Sequence, residues 1–139
     1  YIRAQHRGGN PMTTRRRSRR SARAAGTRFE RELTAALAEA LDDDRIERRA
    51  RTGARDRGDI TGVRLGDKRL VFECKDCSRL DLAGWVREAR IEAQNDSAAA
   101  AFVIHKRRGV GDPLSQYVTC ELRDLVVLLA GRPVAEADQ

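Results

Sequence analysis

No stretch of this 139-residue chain approaches the roughly 18 consecutive apolar residues that a bilayer span needs; the longest candidates, residues 98–104 and 125–130, are far shorter. A membrane-spanning helix is therefore not expected. Cysteines are few and odd in number, at three, and the chain shows no apolar secretory segment. A disulfide scaffold is not expected, and a reducing cytoplasm fits. Cys74 and Cys77 do form a CxxC pair, but Cys120 and His105 lack the paired spacing of a zinc site, so that signal is weak. There is no internal repeat, and the length suits one compact domain rather than two.

Acidic residues are missing altogether from the first 28 positions, which hold nine of the 28 Lys and Arg. The rest of the chain carries 19 basic against 21 acidic residues, so the formal charge of +7 resides in the N-terminal segment. Residues 1–26 contain almost no large apolar side chain and include the run Arg15, Arg16, Arg17, Ser18, Arg19, Arg20. Such a segment cannot bury enough surface to order itself, so the chain is expected to divide into a flexible basic arm, 1–26, and a single folded domain, 27–139. The arginines of the run would attract phosphates in a salt-dependent way, the plain alternative being a solubilising tail. Met12 marks a candidate start, which makes the preceding eleven residues a candidate extension.

From Thr27 the spacing turns helical. Thr27 is a candidate N-cap, and Phe29, Leu33, Leu37 and Leu41 repeat every four residues. Residues 46–51 read as a short polar strand leading to a Gly- and Arg-rich loop, and residues 59–65 and 69–75 as two strands joined by the Gly66-Asp67 turn. Asp81 caps a second helix running to Asn95, with Leu82, Trp85, Val86, Ala89 and Ala93 on one face. Residues 99–105 read as a buried strand, 117–120 as a short one, and 122–130 as a closing helix stopped by Gly131 and Pro133. The order αβββαβ, with a βα end, predicts an α/β fold in which a mixed sheet is flanked by helices.

Chemistry concentrates on the strand 69–75. Side chains alternate along a strand, so Val71, Glu73 and Lys75 share one face while Leu70, Phe72 and Cys74 pack on the other. Hairpin pairing brings the Asp59 carboxylate beside Glu73. Two carboxylates are what a hard divalent cation such as Mg²⁺ takes from a protein, the rest of its shell being water and substrate phosphate. Lys75 can hold or help deprotonate a water and neutralise charge on a phosphate undergoing attack. Together these groups suit phosphodiester hydrolysis. On the first helix Glu30 falls within the apolar arc, where a carboxylate is costly unless paired or metal-bound, so it is expected at the edge of the same cluster as a further ligand, direct or through water.

A helix bearing Glu30, then Gly58-Asp59-Ile60, then Phe72-Glu73-Cys74-Lys75 resembles the core of the PD-(D/E)XK nucleases, and within that superfamily the archaeal and phage Holliday junction resolvases. The resemblance spans residues 29–130. It implies a restriction-endonuclease-like fold, Mg²⁺ or Mn²⁺ dependence, and a homodimer that cuts two strands of a four-way DNA junction, in the host cytoplasm if phage-encoded. By that pattern Glu30, Asp59, Glu73 and Lys75 are the functional residues. Gly58 stands where the pattern has proline.

Several basic residues flank this centre. Arg49, Arg51, Arg55 and Arg57 are candidates for phosphate contact, Arg51 or Arg55 matching an arginine of some resolvases, and Lys106, Arg107 and Arg108 follow a strand end suited to backbone contacts. Gln94, beside Arg87 and Arg90 on the second helix, resembles a polar helix residue near the site of several branches of the superfamily and is a candidate catalytic residue; a surface glutamine is its plain reading. Trp85 belongs to the apolar stripe and is expected in the core or a dimer contact. The rival functions are a general or repair-type nuclease of the same core and, from another class, a noncatalytic basic DNA-binding protein.

Overall fold

The computed structural model describes residues 18–50 and 57–135. Helix α1 (Arg19–Ala40) begins nine residues before the expected start, capped by Ser18 and not Thr27, the Ser18 side chain accepting from the Ser21 N–H. Residues 19–26, expected in the basic arm, are thus helical; 19–24 are exposed and Ala25 is buried. Ala25 extends the buried stripe of Phe29 and Leu33 by one turn, and a small apolar residue there suffices to seat it. Residues 1–17, with Arg15, Arg16 and Arg17, lie outside the described residues, as do Arg51 and Arg55.

Among the described residues six strands follow: β1 (Glu47–Arg48), β2 (Ile60–Thr61), β3 (Arg64–Leu65), β4 (Lys68–Lys75), β5 (Ala100–His105) and β6 (Tyr117–Thr119). They form a mixed sheet in the order β1-β2-β4-β5-β6, with β3 also paired to β4. Among the described strands only β4 and β5 pair in parallel, joined by α2 (Leu82–Asn95), and α3 (Leu122–Ala130) follows β6. Asp81 caps α2 as expected, and Gly131 ends α3 in the left-handed conformation.

The strand expected over residues 59–65 is broken into β2 and β3. Ile60 pairs with Phe72, but Arg64 pairs with Arg69, so the β2–β3 side carries one residue more than β4 between these pairs: a bulge. Gly62 stands there at φ +90°, and a Cβ on it would lie 2.1 Å from the Arg45 carbonyl oxygen. Only glycine permits that approach.

The core has two layers. On one side of the sheet α1 and α3 cover Leu70, Cys74, Ala100, Phe102 and Ile104, with Phe72 and Phe102 stacked at 5.2 Å. On the other, Trp85, Ala89 and Ala93 of α2 pack on Val71, Ala101 and Val103. Asp124 on α3 joins the layers, accepting from the Ala101 N–H at 3.1 Å and from Arg90 of α2 at 2.6 Å.

Candidate active site

The face of β4 that turns toward α2 changes character along its length. Val71 packs against α2, but Glu73 and Lys75 follow it on the same side. Glu73 is 3% exposed. Its Oε1 accepts from Lys75 Nζ at 3.0 Å, while Oε2 has no hydrogen-bond partner among the described residues. A buried carboxylate oxygen left in that state costs stability, so fold stability does not explain the residue.

Asp59 is equally buried and is anchored on both sides of Glu73. Its N–H donates to the Phe72 carbonyl at 2.9 Å, and its Oδ2 accepts from the Cys74 N–H at 2.8 Å. The Asp59 carboxylate is thus held on the β4 backbone at the residue next to Glu73. Gly58 before it adopts φ +91°, with a would-be Cβ 2.9 Å from Val71. Proline, locked near −65°, is incompatible with this backbone, which accounts for the departure from the pattern.

Lys75 is held from two directions, by Glu73 and by Glu88 of α2. Burial alone would push its pKa down, but the hydrogen bond to Glu88 and the charge and hydrogen bond of Glu73 carry it above the ordinary lysine value. It is a cation at neutral pH. That state suits holding a water or neutralising a phosphate, and not removing a proton.

Glu92, one turn beyond Glu88, is buried and reaches the start of β2, its Oε2 3.7 Å from where a Cβ on Gly58 would stand. Neither Glu88 nor Glu92 was among the expected site residues. The signal for Glu92 was present: on the helical wheel it lies within about 20° of Trp85, the same inward placement that singles out Glu30. Glu30 approaches from α1, on the other side of the sheet, and its Oε2 accepts from Arg48 Nε of β1 at 2.8 Å. The Cys74 thiol registers the whole group: burial first, then the charges of Asp59, Glu73, Glu30 and Glu92, push its pKa far up. A thiol so held is neither nucleophile nor ready metal ligand.

Among the described residues no three His, Cys, Asp or Glu side chains form a group able to hold a metal ion. Glu30, the third expected carboxylate, is paired with Arg48. A site of Asp59 and Glu73 still fits Mg²⁺ or Mn²⁺, which takes one or two carboxylates with water and phosphate completing the shell, and the unpartnered Glu73 Oε2 is an oxygen of the kind such an ion takes.

The remaining expected site residues spread more widely. Gln94 is exposed near the C-terminal end of α2 and points away from the buried face, so Glu88 and Glu92 are the polar residues that helix gives the cluster. Arg57 is exposed immediately before Gly58, while Arg49 is committed to Thr61, at 2.8 Å, and to the buried Asp96, at 3.2 Å. Arg19 and Arg20 are exposed on the first turn of α1. Lys106 Nζ lies 5.3 Å from the centre of the Phe29 ring, Arg107 lies over the Tyr117 ring and donates to the Ser115 carbonyl, and Arg108 is exposed. Comparison of the chain with protein families, curated proteins and solved structures finds no match. Among the described residues no helix is long and apolar enough to cross a membrane.

Proposed function

We propose that the chain is a metal-dependent endonuclease that hydrolyses DNA phosphodiesters, built on a PD-(D/E)XK, restriction-endonuclease-like core and selective for branched DNA of the Holliday junction type. The observation that carries the reading is the buried Glu73, with one oxygen on Lys75 and the other unpartnered among the described residues, beside an equally buried Asp59. Asp59 and Glu73 would hold Mg²⁺ or Mn²⁺, which supplies a polarised phosphate and an acidified water. Lys75 offers its charge to the phosphate or holds the water in line. Glu88 keeps that ammonium charged and in place.

Substrate selectivity rests on less. The likeness to resolvases supports it, as do the basic residues 106–108 and the run 15–20, which suit a polyanion but carry no information about branching by themselves. A homodimer, which would offer two such sites to a crossed substrate, is supported by α3, where Leu122 and Leu129 are 75% and 78% exposed. The test is cleavage of a four-way junction, a fork, a flap and a linear duplex of equal length, with Mg²⁺ or Mn²⁺. Paired nicking of the junction in preference to the duplex is expected. Equal cutting of all four reduces the reading to a general or repair-type nuclease, and binding without any cutting makes the chain a noncatalytic DNA-binding protein.

A further inference from the structure

The parallel strands β4 and β5 end side by side at Lys75 and His105, and beyond them lies a cavity of about 480 Å³. That volume falls in the range of small-molecule sites, roughly 300–1,000 Å³. Three rings border it in a row: Trp85 and His105 have centroids 5.6 Å apart, and His105 and Tyr117 6.0 Å. Leu80, 68% exposed, adds an apolar wall. The charged lining is of one sign, with Lys75, Lys106, Arg107 and Arg108 and no carboxylate among the described lining residues. Burial lowers the pKa of His105, so that ring is neutral at neutral pH and joins the aromatic wall without adding charge.

An aromatic wall with a cationic rim is complementary to a flat ring that carries a phosphate, because the ring gains stacking area and the phosphate gains partners. We infer that this cavity is a nucleotide subsite, which receives an unpaired base of the strand being cut and leaves that nucleotide's phosphate at the Lys75 end. The inference rests on the nuclease reading and deepens it: the substrate would present an unstacked nucleotide next to the scissile phosphate, as DNA does at a branch point or flap and does not within a continuous duplex. Tyr117, 55% exposed, is the most accessible of the three rings, with Arg107 over it, and Arg108 is the exposed cation of the rim.

Trp85 is the only tryptophan of the chain and borders the cavity, so its fluorescence reports occupancy. The full chain, free of metal, is titrated in turn with thymidine 5′-monophosphate, thymidine and inorganic phosphate. A saturable change with the monophosphate is expected, at least about tenfold tighter than with thymidine or phosphate alone. Tyr117→Ala and Arg108→Ala should each weaken it about tenfold, while Leu41→Ala, at an exposed position just past α1, leaves it unchanged. The absence of a saturable response, phosphate binding as tightly as the nucleotide, or nucleotide affinity unchanged in both cavity variants overturns the subsite. The two readings separate cleanly. DNA cleavage with no response to the nucleotide removes the subsite and keeps the nuclease, whereas a response with no cleavage of any DNA keeps the subsite and removes the nuclease.

Discussion

The two faces of β4 solve different problems with the same eight residues. Toward α1 and α3 the strand presents Leu70, Phe72 and Cys74 to an apolar core in which even the cysteine is kept a neutral thiol. Toward α2 it begins the same way, with Val71 in a cluster with Ala93 and Ala101, then buries Glu73, half-buries Lys75 and draws in Asp59, Glu88 and Glu92. The first face is explained by burial of apolar area alone. The second is not, because a buried carboxylate with one oxygen unpartnered opposes folding. The contrast teaches where stability ends as an explanation and chemistry begins.

Substitutions on the two faces should therefore fail in different ways. On the α2 face, Lys75→Ala is expected to lower metal-dependent DNA cleavage about 10³-fold or more, measured under conditions where circular dichroism shows a native fold. Unchanged cleavage would make Lys75 a structural partner of Glu88. On the opposite face Phe102→Ala removes a ring that stacks on Phe72, and should cost about 3–5 kcal/mol in urea unfolding, with cleavage per folded molecule nearly intact. Asp59 belongs to both accounts. Asp59→Ala strips the Cys74 N–H of its acceptor and should cost about 1–3 kcal/mol, whereas Asp59→Asn keeps an acceptor oxygen, preserves most of the stability and still loses cleavage. Equal unfolding energies for the two variants would remove Asp59 from the fold's hydrogen bonding.

The smallest effect expected is that of pH on His105. Burial sets its folded pKa below the ordinary value of 6.5, so the unfolded chain takes up a proton more readily than the folded one. Its contribution is therefore present above about pH 6.5 and lost as pH falls through that value toward the folded pKa. The thermal midpoint should drop between about pH 7 and about pH 5.5, and His105→Gln, which can still bond to Thr119, should flatten that part of the curve. An unaltered slope assigns the drop to other groups.

Much of this contrast was legible in the residues. Alternation alone separates Glu73 and Lys75 from Leu70 and Cys74, the hairpin brings Asp59 to them, and Asp81, Gly131 and the apolar spacing mark α2 and α3. Three features were hidden for physical reasons. The first turns of α1 are seated by Ala25, too small to stand out in a basic segment. The bulge at Gly62 depends on the close pass of the Arg45 backbone, a contact between chain segments that no local pattern records. Two acidic residues of α2 were not singled out: Glu92 turns to the buried face and the exposed Glu88 reaches Lys75, a pairing set by how the helix docks on the sheet and recorded by no local pattern, while Gln94 is exposed. Glu30, inward as its arc predicts, is spent on Arg48, a partner set by the placement of β1.

Glu73 is where the account is most exposed. If its carboxylate is buried for chemistry at a cost to the fold, then Glu73→Gln, which keeps the shape and removes the charge, should separate activity from stability. Metal-dependent cleavage and the thermal midpoint are to be measured on one preparation of this variant and of the unaltered chain. The account predicts cleavage lower by about 10³-fold or more together with a midpoint unchanged or raised by about 3 °C. Cleavage that persists, or a midpoint that falls, would contradict it.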